Sequence, residues 1–137
     1  MSFNIVSTPI GNLEDISNRA IRTLKNSEII LCEKKTRAIK LLNHLKIKPE
    51  LLIPYHDEKF TKISKLVIKE LNNEKTISLI SDAGTPLISD PGFKLISELI
   101  KNNIEPVTIP GPSSVISSLT LSGMDISNFI FLGFLPK

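Results

Sequence analysis

A single cysteine, Cys32, in a chain of 137 residues excludes a disulfide framework and any multi-cysteine metal site, and it points to a reducing compartment. No apolar run approaches the roughly 18 residues that a membrane span requires. The first residues also lack the basic stretch followed by a long apolar one that marks a secretory signal. A cytoplasmic protein with no membrane partner is the expectation. No GxGxxG follows a candidate strand and no GxxxxGKS/T occurs, so the fingerprints of dinucleotide and P-loop nucleotide sites are missing. HExxH, GxSxG and Cys/His clusters are missing as well, which leaves neither a metal site nor an activated serine in view.

What is present is ordinary in bulk and specific in detail. Apolar residues make up 41% and charged residues 23%, as in soluble globular domains, and 137 residues make one domain. The net charge of +3 fits contact with a polyanion only weakly. Short β-rich runs occur at Phe3 to Val6, Glu28 to Cys32, Leu51 to Ile53, Thr76 to Ile80, Val107 to Ile109 and Phe129 to Leu132. Between them lie helical stripes: Ile16, Ala20, Ile21 and Leu24; Ile39, Leu42 and Leu45; Ile63, Leu66, Val67 and Leu71; and Phe93, Ile96, Leu99 and Ile100. Asp90 reads as N-cap of the fourth helix with Pro91 at its first position, and Ser113 as N-cap of a fifth that ends near Gly123. Such alternation predicts an α/β domain with a largely parallel sheet flanked by helices, and Cys32 buried in a strand.

Ligands of open α/β sheets bind beyond the carboxyl ends of the strands. Three segments rich in Gly, Pro and small polar residues fall there: Ser7 to Asp15 (STPIGNLED), Ser81 to Gly92 (SDAGTPLISDPG), and Ile109 to Ser114 (IPGPSS). Gly permits close backbone approach, Pro stiffens the loop, and hydroxyls and amides supply hydrogen bonds. Asp82 and Thr85 leave the same edge. Together the loops suit a small polar ligand, with no evident nucleophile.

The segments TPIGNLEDIS, SDAGTPLISDPG, PGPSS and GFLPK, in this order, resemble the tetrapyrrole methylase superfamily. Within it they are most similar to the bacterial branch that methylates a cytidine ribose 2′-hydroxyl of small-subunit (16S) ribosomal RNA. The resemblance spans the whole chain. It implies a homodimeric, two-domain enzyme with S-adenosylmethionine held between the domains, residues 1–137 being the N-terminal domain and a C-terminal domain lying outside this chain. It further implies cofactor contacts from Pro9, from Asp82, Ala83, Gly84 and Thr85, from Leu87 and Ile88 against the adenosyl group, and from Ser113 and Ser114. His56 and Asp57 match a family segment and are the candidate bases for the ribose proton.

The chain departs from the family where the second strand ends, reading Cys32-Glu33-Lys34-Lys35-Thr36-Arg37 in place of an acidic-Thr-Arg segment. It also carries Lys59 and Phe60 where the family has an Asn-Glu pair. Lys34, Lys35 and Arg37 could grip RNA phosphate. Two other readings stand beside the ribosomal RNA methyltransferase. One is a methylase of a corrin or sirohaem precursor, from which a Gly-rich first loop and a Gly-Gly-Asp-Pro turn would be expected. The other is a truncated, non-catalytic module that binds cofactor or RNA.

Overall fold

The structure, a computed structural model, describes residues 1–134. Five strands, β1 (Ser2–Val6), β2 (Ile29–Cys32), β3 (Leu51–Pro54), β4 (Thr76–Ile80) and β5 (Val107–Ile109), alternate with five helices. The helices are α1 (Asn18–Lys25), α2 (Lys35–His44), α3 (Phe60–Asn72), α4 (Phe93–Lys101) and α5 (Ser114–Leu121). The sheet order is β3-β2-β4-β1-β5, and every pairing is parallel.

Central strands are buried on both faces, which is why β2 reads as an unbroken apolar run and β4 as an apolar run interrupted only by small hydroxyl residues. Alternation then divides their side chains. Ile29 and Leu31 join Phe3, Ile77 and Leu79 beneath Ile63, Val67 and Leu71 of α3 and Leu95 and Leu99 of α4. Ile30 and Cys32 join Val6 and Ile80 beneath Ala20 and Leu24 of α1 and Ala38 and Leu42 of α2. The chain thus travels outward to β3 over one face and returns over the other, as crossovers of one hand require.

Register fixes where function can sit. Pro54, Cys32, Ile80, Val6 and Ile109 pair in one row across the sheet, so all five strands end at one level. The loops that follow start side by side.

Several expectations change. Helix α4 begins at Phe93 with Gly92 as N-cap, so Asp90 and Pro91 stay in the preceding loop. An acid still serves that helix start, but it comes from another loop: Asp57 Oδ1 accepts the Gly92 N–H at 3.2 Å, much as the acid of a capping box does. Gly92 fits because its φ is +139°, and a Cβ there would meet Leu79 and Leu87 at 3.2 Å. The buried stripe of α4 is Leu95 and Leu99, while Phe93 is 71% exposed and Ile100 59%. On α2, Ala38, Leu41 and Leu42 face inward and Ile39 outward. Residues 129–132 form no strand and lie exposed, although β5 is an edge strand with only β1 as its partner. Pro136 and Lys137 of the closing motif lie outside the described residues.

Leu95→Ala should therefore lower stability by about 2–5 kcal/mol. Phe93→Ala should stay within about 0.5 kcal/mol of the parent. Urea unfolding of the two variants checks this, and equal losses would return Phe93 to the core.

Candidate ligand site at the carboxyl ends of the strands

The loops after β1 and β4 are joined by a two-bond bridge. The Thr8 N–H donates to Gly84 C=O at 2.9 Å, and the Gly84 N–H donates to Thr8 C=O at 3.0 Å. Side chains extend the junction to the loop after β5. Ser7 Oγ lies 2.9 Å from Thr85 Oγ1, which donates to Pro112 C=O at 3.3 Å, so the hydroxyls run as a relay from loop to loop. Ser81 Oγ donates to Gly84 C=O at 3.1 Å from inside the same turn. Gly111 packs so tightly on Ser7 that a Cβ would sit 3.0 Å from the Ser7 Cβ.

This junction accounts for two of the expected cofactor residues. Gly84 has φ +81°, a conformation L-residues rarely take, while the nearest atom to an added Cβ is Ile10 Cγ2 at 3.4 Å. Backbone conformation requires glycine here, and both main-chain polar groups are committed to Thr8. The Thr85 hydroxyl is likewise bonded on two sides.

The wall separates two concavities. A cleft of about 280 Å³ is lined by Pro9, Ile10, Gly11 and Leu13 of the first loop, Arg37, Lys40 and Leu41 of α2, and Asp82 and Ala83. A second groove of about 340 Å³ holds Thr85, Ile88, Ser113, Val115 and Ile116, with Phe129 and Phe131 on its far side. The expected cofactor residues are thus divided: Pro9, Asp82 and Ala83 on one side, Thr85, Ile88 and Ser113 on the other.

Others of them serve packing or capping. Leu87, at φ +73°, turns its side chain onto the core below α3 and α4, while Ile88 remains 48% exposed. A bulky residue in left-handed backbone carries about 1–3 kcal/mol of strain, and burying Leu87 helps hold it there. Ser113 caps α5, with its Oγ accepting the Ile116 N–H at 3.5 Å, and Ser114 is the exposed first residue of that helix. Asp82 stands in for the side-chain cap that α2 lacks: Oδ1 accepts the Lys34 N–H at 3.1 Å and Oδ2 pairs with Lys34 Nζ at 3.5 Å. That ties Lys34 down, whereas Lys35 opens the helix and is exposed, and Arg37 lines the cleft.

Asp57 Oδ1 accepts from buried Tyr55 Oη at 2.9 Å as well as from Gly92 N–H. Burial and this carboxylate hold the Tyr55 hydroxyl well above its usual pKa. Asp57 therefore braces the β3 loop against α4, and His56, half-buried beside it, opens the short 3-10 turn Asp57–Lys59. Burial pushes the Cys32 thiol up to about 11, which makes it a poor nucleophile at neutral pH. Asp90 was not singled out by its sequence context as an ionisable group. Partial burial, with Glu33 and Asp82 nearby, raises its pKa. Only the meeting of the loops after β2 and β4 creates that environment.

The family model for Tetrapyrrole (Corrin/Porphyrin) Methylases matches residues 2–133. A Rickettsia prowazekii protein named ribosomal RNA small subunit methyltransferase I is 52% identical over 97% of this chain and 47% of its own. Proteins of the same name from Halalkalibacterium halodurans and Hydrogenobaculum sp. are each 44% identical, over 97% and 100% of this chain and 46% and 60% of theirs. The chain spans about half the length of the curated relatives it matches. Among solved structures, a uroporphyrin III C-methyl transferase from Thermus thermophilus superposes with a TM-score of 0.66 at 19% identity, over 86% of this chain and 52% of that one. A cobalamin-synthesis-related protein from Corynebacterium diphtheriae gives 0.65 at 14%, over 93% and 60%. At those identities the likeness is one of fold.

Two predictions follow from the junction and its acids. Gly84→Ala should lose about 1–2 kcal/mol of stability, and Thr85→Val about 1–3 kcal/mol for the severed relay; thermal unfolding reads both. Gly84→Ala with full stability would mean the turn does not need glycine. Asp90→Asn should raise the melting temperature at pH 7, because a carboxyl with a raised pKa opposes folding once ionised. The gain should vanish below its ordinary value of 3.8, where the group is protonated folded or unfolded. A pH series of melting curves decides, and an Asp90→Asn gain that persists in acid would refute the electrostatic cause.

Proposed function

The chain belongs to the tetrapyrrole (corrin/porphyrin) methylase family, and from that premise we propose that it is the N-terminal half of an S-adenosylmethionine-dependent enzyme that methylates a cytidine ribose 2′-hydroxyl of small-subunit (16S) ribosomal RNA. The observation that carries this reading is the far higher identity to ribosomal RNA methyltransferases than to tetrapyrrole enzymes, sustained over nearly the whole chain.

The groove of Thr85, Ile88 and Ser113 is the better fit for the cofactor. It is concave and apolar on most sides, with Ile88, Ile116 and Phe129 available to an adenine face and hydroxyls at its rim. When bound, S-adenosylmethionine supplies a methyl group carried on a sulfonium. Displacement from such a centre needs alignment more than a covalent intermediate. The residues of the junction give that alignment by fixing the loops after β1, β4 and β5 as one rigid body. A proton must also leave the ribose hydroxyl. Asp57 is committed to Tyr55 and Gly92, so His56 and Asp90 remain as acceptors, and the raised pKa of Asp90 brings it closer to the range in which a base works well.

A second, C-terminal domain would complete the pocket. Leu121, Met124, Ile130, Leu132 and Phe134, each more than three-quarters exposed, offer it an apolar seat. A homodimer working in the cytoplasm on the ribosomal RNA or the small subunit completes the proposal.

The test is methyl transfer by the intact protein from labelled S-adenosylmethionine to naked 16S RNA, to assembled small subunits and to a tetrapyrrole precursor. Nuclease digestion and mass spectrometry should recover 2′-O-methylcytidine, while residues 1–137 alone should bind cofactor weakly and show no turnover. Methylation of the tetrapyrrole with none on RNA would overturn the reading.

A further inference from the structure

We propose that the cleft between the first loop and α2 is a nucleotide subsite, receiving the residue that flanks the modified one, with its phosphodiester on Arg37 and Lys40 and its base on Ile10, Leu13 and Leu41. The inference rests on the RNA-methylating reading and specifies the part of the surface that reads the chain of the substrate.

Charge is the first ground. Arg37 and Lys40 are three residues apart on α2, so they project from one face of the helix, and both line the cleft. Neither takes part in an ion pair among the described residues. Lys34, by contrast, is paired with Asp82, and Lys75 is shared by Glu50 and Glu70. Asp82, the one acid lining the cleft, already has its cation in Lys34 and its amide donor in Lys34 N–H. Two unpaired cations on a concave surface select an anion, and arginine with lysine suits a phosphodiester.

The opposite wall argues against a bare inorganic anion. Ile10 and Leu13 are 37% and 41% exposed on a loop of otherwise polar and small residues, and Leu41 closes the floor. Apolar side chains facing a cationic pair match a ligand with one flat apolar part and one charged part. Nothing lies within 4 Å of a Cβ built on Gly11, so the mouth of the cleft is open. At about 280 Å³ the space suits one unstacked nucleotide rather than a duplex. Position completes the case. Ala83 faces this cleft and Thr85 the groove, with Gly84 in the wall between them. A strand laid across the junction would therefore seat the flanking residue in the cleft and bring the modified one up to the cofactor held in the groove.

The experiment uses the intact protein, Arg37→Glu, Lys40→Glu and Leu13→Ser variants, and Lys101→Glu on α4, across the sheet, as a control for net charge. Binding of a labelled single-stranded oligoribonucleotide carrying the 16S target is measured at several salt concentrations, alongside cofactor affinity and melting temperature. Arg37→Glu and Lys40→Glu should each weaken RNA binding about tenfold and shallow the logarithmic salt dependence by about 0.7. Leu13→Ser should weaken binding with the salt dependence unchanged, and cofactor affinity should hold in all. If Arg37→Glu and Lys40→Glu behave as Lys101→Glu does while the parent methylates RNA, this subsite is wrong and the functional reading stands. If the parent neither binds nor methylates RNA, the functional reading falls and the subsite with it.

Discussion

Everything at the business end of this domain depends on the pair of main-chain hydrogen bonds between Thr8 and Gly84. Parallel strands that end in one row deliver five loops to one edge, but a row of loops is only a fringe until something fixes them together. The Thr8–Gly84 bridge joins two, and the Ser7–Thr85–Pro112 relay adds the third. Each bond contributes about 0.5–1.5 kcal/mol net, yet together they turn loops that would otherwise move independently into one partition. The glycine follows from the bridge: only a residue tolerant of φ +81° can present its amide and carbonyl to Thr8 in this turn.

The acids show how little of a loop's chemistry can be assigned from its composition. Asp82 lies in a loop with every appearance of a ligand contact, and its carboxylate is committed to the start of α2. Asp57, beside a histidine, braces Tyr55 and the N-cap of α4. In both cases the recipient is a helix start that lacks a side-chain cap of its own. Helix starts left with free amides draw carboxylates from neighbouring loops, so the acids near a site divide between holding the scaffold and facing the ligand. Asp90 bears no such duty among the described residues, and crowding with Glu33 and Asp82 keeps it more readily protonated.

The five strand positions, the parallel α/β class and burial of Cys32 were legible in the sequence because doubly buried strands write themselves as short, mostly apolar runs rich in β-branched residues. Helices were legible as elements and less so as faces. Phe93 and Ile100 continue the helical spacing of α4 but overshoot its contact with the sheet, which Leu95 and Leu99 make. The Asp90–Pro91 pair carries the local signature of a helix start, whereas the tertiary bond from Asp57 moves the start to Phe93. Residues 129–132 have strand composition but pair with no strand, so apolar β-branched and aromatic content alone did not place them in the sheet. The three loops were identifiable as a group from Gly, Pro and hydroxyl content. Their division into two concavities was not, since it arises from hydrogen bonds between residues 76 positions apart.

A partition built from backbone has a consequence for how such a protein can change over generations of substitution. Side chains on either side of it can be exchanged without moving the main chain that separates them. Arg37, Lys40 and Leu13 line one side and Ile88, Ser113 and Ile116 the other, and among the described residues the two linings share none. A scaffold with that property can keep one lining constant while the other changes.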